Sequence, residues 1–99
     1  MKEYQKEIDN WFKQKSWEYW NPFIIVTRLF EEGGEFARAV NHIHGPKKKR
    51  PDEEEQDIEE EMGDIIYTLI CYANSQGIDL NKAIRKSLDK VTERDKNRY

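Results

Sequence analysis

The chain is expected to fold as an all-α protein of four helices, and three features of its 99 residues point there. The longest β-branched run is only Ile24 to Val26, and no Asn-Gly or Asp-Gly turn separates alternating segments, so strands have little support. Apolar residues instead recur at spacings of three and four in four separate stretches. Between those stretches stand residues that start and stop helices.

The first helix is expected over about Glu3 to Lys15, with Tyr4, Ile8, Trp11 and Phe12 forming its apolar stripe. Asn21-Pro22 reads as an N-cap followed by proline at the first helical position, opening a second helix that runs to about Ile43. Gly45-Pro46 stops it. Pro51-Asp52 opens the third helix, whose first-turn acids suit the positive end of a helix dipole. Ile58, Met62, Ile65, Ile66, Leu69, Ile70 and Ala73 give it an apolar face until Ser75-Gln76-Gly77. Asp79 caps a last helix carrying Leu80, Ile84, Leu88 and Val91, with basic residues crowding its C-terminal end.

Length implies a single domain spanning residues 1 to 99, at a size where association with another copy often supplies part of the burial. A homo-oligomer is expected. The net charge of -3 hides a segregation, with Asp52 to Asp64 mostly acidic and Lys47 to Arg50 and Lys82 to Arg98 mostly basic. The one cysteine, Cys71, cannot form an internal disulfide and reads as a small core residue. With no signal-like or membrane-length apolar segment, a soluble cytoplasmic protein is expected, with neither membrane nor nucleic acid as a partner.

The chemistry lies in a repeated pattern. Glu31-Glu32-Gly33-Gly34-Glu35 and Glu60-Glu61-Met62-Gly63-Asp64 both read E-E-x-G-acid, one on the second helix and one on the third. At about 100° per residue, the fifth position of each lies between the first two around the helix, so each helix projects an acidic cluster from one face. Consecutive helices joined by a short turn lie antiparallel, and Glu35 with Glu61, like Glu32 with Asp64, has its midpoint at Lys48. Four carboxylates should converge. Gly34 and Gly63 are placed almost symmetrically about the same point, and the expectation is that they let the two backbones approach closely. Gly33 has no role in that scheme.

Two unit charges 4 Å apart repel by about 4 kcal/mol at an effective dielectric of 20, so four clustered carboxylates approach roughly 10 kcal/mol. A small domain has only about 5 to 15 kcal/mol of stability. A cation or protons must offset the repulsion. An all-oxygen set favours Mg²⁺, Mn²⁺ or Ca²⁺ over zinc or copper, and the lack of a Glu-x-x-His spacing disfavours a ferritin-like di-iron site. Arg28, four residues before Glu32, and Arg38, three after Glu35, offer the competing explanation of ordinary salt bridges.

With these motifs the chain resembles the MazG-like nucleotide pyrophosphohydrolases, all-α enzymes marked by E-E-x-x-E followed on the next helix by E-x-x-D. Glu31, Glu32 and Glu35, then Glu61 and Asp64, carry the match, and the resemblance extends from about Trp17 through IIYTLICYANSQGIDL to KVTERDKNRY. It implies a MazG-like bundle with a central antiparallel helix pair, completed as a homodimer or homotetramer. It also implies Mg²⁺-dependent hydrolysis of a nucleoside triphosphate to the monophosphate and pyrophosphate, with Mn²⁺ as a substitute ion. Glu32, Glu35, Glu61 and Asp64 are then metal ligands, and Glu31, or a ligand carboxylate not saturated by metal, orients or deprotonates the attacking water. Gly33 departs from the larger apolar residue often found there.

Lys90, Arg94 and Arg98 are candidates for the phosphates by the same resemblance, against the plainer role of complementing a helix dipole. Trp17, Trp20 and Tyr19 offer aromatic faces for a base, with core or interface packing as the alternative for each; Tyr67 and Asn74, beyond Asp64 on the third helix, are candidates to face the nucleotide, with core packing as the alternative for Tyr67. The rival functions are a phosphoribosyl-ATP pyrophosphohydrolase-like enzyme and a non-catalytic helical interaction module.

Overall fold

A computed structural model describes residues 1–46 and 57–98, the side chains of 96–98 excepted. It contains four helices: α1 (Lys2–Gln14), α2 (Pro22–His44), α3 (Ile58–Gln76) and α4 (Leu80–Arg98). Among the described residues there is no strand. The chain forms two compact units, Trp20–Leu69 and the combination of Met1–Tyr19 with Ile70–Tyr99.

Local chemistry accounts for the helix ends. The Asn21 side chain accepts from the Ile24 N–H at 3.0 Å, and Pro22 takes the first helical position, where its missing N–H costs nothing. At the other end of α2, a Cβ on Gly45 would stand 2.7 Å from the Asn41 carbonyl oxygen, so only glycine fits. The expected start of α3 at Pro51-Asp52 lies outside the described residues. The described helix begins at Ile58, where the Asp57 carboxylate accepts from the N–H groups of Glu59 and Glu60 at 3.0 and 3.3 Å. Gly77, at φ 68°, ends α3, with Ile78 N–H donating to the Ala73 carbonyl. Ser16 closes α1 in the same way at φ 56°: Trp17 N–H donates to the Phe12 carbonyl, and their rings meet edge to face at 5.7 Å.

The apolar stripe of α1 has the expected period but a different phase. Tyr4 and Trp11 are exposed, and the buried residue of the helix is Gln5. A polar network within one unit sets that phase. Gln5 Nε2 donates to Asn74 Oδ1 at 3.1 Å and to the Ile78 carbonyl at 2.8 Å, while its Oε1 accepts from Leu80 N–H at 2.9 Å. Asn74 Nδ2 donates to the Gln5 carbonyl and to the Tyr19 hydroxyl, both at 2.9 Å, and Tyr19 donates onward to Asp9 at 3.0 Å. Phe12 stacks on the Tyr19 ring at 4.4 Å. The first helix is thus tied to the α3–α4 turn by hydrogen bonds that hydrophobic periodicity does not report.

Burial pushes the Tyr19 hydroxyl up to about 12 from the usual 10.0, with the Asp9 carboxylate reinforcing the shift against the lowering effect of Asn74. Because the unfolded chain ionises first, stability held below pH about 10 is lost as pH rises towards about 12. Phenolate absorbance should show late titration by one of the five tyrosines, and Tyr19→Phe should remove that late phase. Ordinary titration of all five would contradict the buried network.

In the other unit, Ile25 and Ala39 on α2 are buried, and the Thr68 hydroxyl is satisfied by the Asp64 carbonyl at 2.8 Å. Among the described residues of the unit that holds α1 and α4, Ile70 and Ala73 are the buried apolar ones. Cys71 is half-buried. Much expected core is open: Met62, Ile66 and Leu69 on α3, and Ile84, Leu88 and Val91 on α4, are exposed, as are Phe23 and Phe30 on α2. No helix among the described residues is long and apolar enough to cross a membrane.

Candidate metal centre

The acidic motifs of α2 and α3 fall in the same unit, Trp20–Leu69. Glu32 from α2 and Glu61 and Asp64 from α3 each bring one carboxylate oxygen into a group whose atoms all lie within 4.8 Å of one another. Glu35 adds a further charge beside Glu61 but directs its Oε2 to the Arg38 guanidinium at 2.7 Å, one turn along α2. Glu31 and Glu60 are exposed neighbours.

The electrostatics report the crowding. Partial withdrawal from water, then the carboxylates of Glu35, Asp64, Glu32 and Glu60 in that order, raise the Glu61 carboxyl above its ordinary value.

The glycines do something other than expected. A Cβ built on Gly33, Gly34 or Gly63 would meet nothing within 4 Å, so close approach of the α2 and α3 backbones is not what these positions serve. Each leaves bare helix beside the acids. Interior glycine still costs about 1 kcal/mol relative to alanine, and packing among the described residues does not offset it.

The donor set fits a hard divalent cation. Oxygens bound at about 2.4 Å to Ca²⁺ stand at most about 4.8 Å apart and those bound at about 2.1 Å to Mg²⁺ at most about 4.2 Å; the three oxygens lie within 4.8 Å of one another, a spread that Ca²⁺ spans directly and that side-chain rotation would close for Mg²⁺. The set contains no nitrogen or sulfur that would favour a softer metal.

The remaining candidates divide between the units. Trp20 is half-exposed beside the start of α2 with the Arg28 guanidinium 5.0 Å from its ring centroid, and Tyr67 is partly exposed on α3. Trp17, also half-exposed, packs edge to face on Trp11 at 5.0 Å in the other unit. Lys90 and Arg94 are exposed on α4 of that unit, and the Arg98 side chain lies outside the described residues, as do Lys47 to Arg50. Asn74 is engaged inside the unit of α1 and α4: its amide donates to Gln5 and Tyr19 and its oxygen accepts from Gln5. Arg28 is the residue whose second role sequence reasoning missed, because helical spacing reveals its pairing with Glu32 but not its place over the Trp20 ring.

Helices alone, gathering carboxylates from two consecutive segments into an oxygen-only cluster, define an all-α protein with a candidate site for a hard metal ion. Residues 22–99 match the model of the MazG nucleotide pyrophosphohydrolase domain. The chain is 41% identical to YpjD of Bacillus subtilis (strain 168), over all of this chain and 89% of that protein, and 34% identical to YvdC of the same organism, over 91% of each. Among solved structures, that of Bacillus subtilis YpjD superposes with a TM-score of 0.81 at 40% identity, covering 92% of this chain and 91% of that one. The Bacillus-conserved MazG protein, a nucleotide pyrophosphohydrolase, superposes with a TM-score of 0.76 at 41% identity over 91% of this chain and 86% of that one. The chain belongs to the MazG nucleotide pyrophosphohydrolase family.

Proposed function

We propose that the protein hydrolyses a nucleoside triphosphate to the monophosphate and pyrophosphate, with Mg²⁺ as its cofactor and Mn²⁺ as a substitute. The observation that carries this reading is the convergence of Glu32, Glu61 and Asp64 oxygens within 4.8 Å, supported by family membership. Glu32, Glu61, Asp64 and, after release from Arg38, Glu35 would hold the ion. When bound, the ion supplies charge neutralisation at the phosphoryl oxygens and a more acidic water.

The chain's own groups do the rest. Attack of water at the α-phosphorus breaks the bond to the bridging oxygen and releases pyrophosphate, and a carboxylate must take the water's proton. Glu31, exposed and next to Glu32 in the chain, or a ligand with a free oxygen, is the candidate for that role. Trp20 and Tyr67 offer ring surface for a base in the cluster's own unit, and Trp17 offers it in the other. Lys90, Arg94 and Arg98 are candidates for the phosphates.

The exposed apolar residues support a homodimer or homotetramer. Phe23 and Phe30, seven positions apart and so on one side of α2, are 84% and 77% exposed, and large apolar side chains left open together are the kind of surface a second copy would cover. Cytoplasmic housecleaning of nucleotides is the setting this chemistry suits.

The test is a panel of nucleoside triphosphates, with phosphoribosyl-ATP included, assayed for pyrophosphate release with and without Mg²⁺. We expect release with Mg²⁺ alone, and a melting temperature that rises with the ion because it binds only the folded cluster. Mg²⁺ binding without cleavage of any nucleotide would overturn the catalytic reading.

A further inference from the structure

The carboxylate cluster has a cationic neighbour that the reaction proposed above does not use. Arg28 lies one helical turn before Glu32 on α2, and its guanidinium makes two contacts at once. One nitrogen is 3.9 Å from Glu32 Oε1, and the guanidinium carbon is 5.0 Å from the centroid of the Trp20 ring. The Glu32 side chain is only 17% exposed and that of Arg28 47%, so one end of the pair is largely withdrawn from solvent screening. A planar guanidinium is suited to this double duty, because its face lies on an aromatic ring while its edge meets a carboxylate.

We propose that Arg28 is a positioning residue that couples cation loading at Glu32 to the setting of the Trp20 indole, the half-exposed ring offered to a nucleotide base. This rests on reading the carboxylates as a metal centre. Glu32 has one negative charge to share. In the metal-free chain Arg28 takes part of it and thereby competes with an incoming ion. A divalent ion held by Glu32, Glu61 and Asp64 neutralises that carboxylate and repels the guanidinium, so the hold on Arg28 passes from Glu32 towards the Trp20 face. The ring therefore senses the ion through a single side chain, on the same unit of the protein.

Neither consequence needs turnover to be read. The whole protein is titrated with magnesium chloride alone, with calorimetry reporting binding and tryptophan emission reporting the ring. Trp20→Phe isolates the share of Trp20 from that of Trp11 and Trp17. The wild type should show a saturable emission change that follows the calorimetric isotherm, and both Trp20→Phe and Arg28→Gln should lose it. Arg28→Gln should also bind Mg²⁺ about two- to fivefold more tightly, the range a partly exposed ion pair corresponds to. Circular dichroism checks that the variants fold; Arg28→Lys, which keeps the charge without the planar face, replaces the glutamine variant if that fails, and should keep Mg²⁺ affinity while losing most of the emission change. Mg²⁺ binding to the wild type without an emission change, or retention of either the wild-type affinity or the full response by Arg28→Gln, overturns the coupling and leaves the metal centre standing. So does an undiminished response in Arg28→Lys. No binding of Mg²⁺ to the wild type overturns both.

Discussion

Glu61→Gln should lower pyrophosphate release by about a hundredfold or more while leaving the metal-free protein at least as stable as the wild type. Glu61 is the carboxylate on which the others press, from Glu35 and Glu32 on one helix and Asp64 and Glu60 on its own. Amide replacement keeps the shape and removes the charge. It therefore deletes an ion-binding oxygen and a source of repulsion together, and the two effects are read by different measurements. The pH dependence supplies a third. The folded state holds the Glu61 proton more tightly than the unfolded chain, so metal-free stability from this group rises as pH falls through the raised value towards the ordinary 4.5. That is the reverse of a salt-bridged carboxylate, and it should vanish in Glu61→Gln. Thermal melts with a chelator, across pH, and a turnover assay with Mg²⁺ check all three; Glu7→Gln, an exposed acid on α1, is the control. Wild-type turnover in Glu61→Gln would remove Glu61 from the site, and a less stable metal-free variant would make it part of the scaffold.

Gln5→Leu should destabilise the fold by about 3 kcal/mol, although leucine is the better residue for an amphipathic helix. The change withdraws the acceptor of the Leu80 N–H and the donor to Asn74 Oδ1 and the Ile78 carbonyl, and each group left without a partner costs roughly 1 to 3 kcal/mol. Apolar burial by leucine returns part of that. A fall in melting temperature of more than about 10 °C follows for a domain of this size. Gln5→Glu, which keeps the shape and one acceptor but loses the amide donor, should fall between the two. If Gln5→Leu melts with the wild type, the network is decoration and the phase of α1 needs another cause.

Helix number, type and most ends were legible in the chain because they rest on neighbours within a few residues. Asn21 with Pro22, Gly45, Gly77 and Asp79 act through backbone groups one to four positions away, and the structure shows each of them doing so. That acids of the two motifs meet was legible for a related reason, since consecutive helices with a common midpoint constrain which positions meet, although the expected convergence of four carboxylates reduces to Glu32, Glu61 and Asp64, with Glu35 turned to Arg38. What local spacing could not convey was direction around an axis. In α1 a period of three and four is satisfied equally well by Tyr4 and Trp11 or by Gln5 and Phe12, and partners nearly seventy residues or more away choose the latter set (Gln5 with Asn74 at a separation of 69).

The candidate centre divides along the same line. That acids from α2 and α3 should crowd was a matter of residue type and position, read directly from two similar five-residue stretches. The Arg28–Glu32 and Arg38–Glu35 pairs follow helical spacing too, whereas which oxygens form the tight group, that Gly34 and Gly63 face open space, and that the Arg28 guanidinium also reaches the Trp20 ring are facts of side-chain rotation and of the gap between helices. Rotamer choice is settled by everything that packs around a side chain, and most of those neighbours are distant in the chain. Chemistry was therefore written in composition and spacing, while its geometry had to wait for the helices to meet.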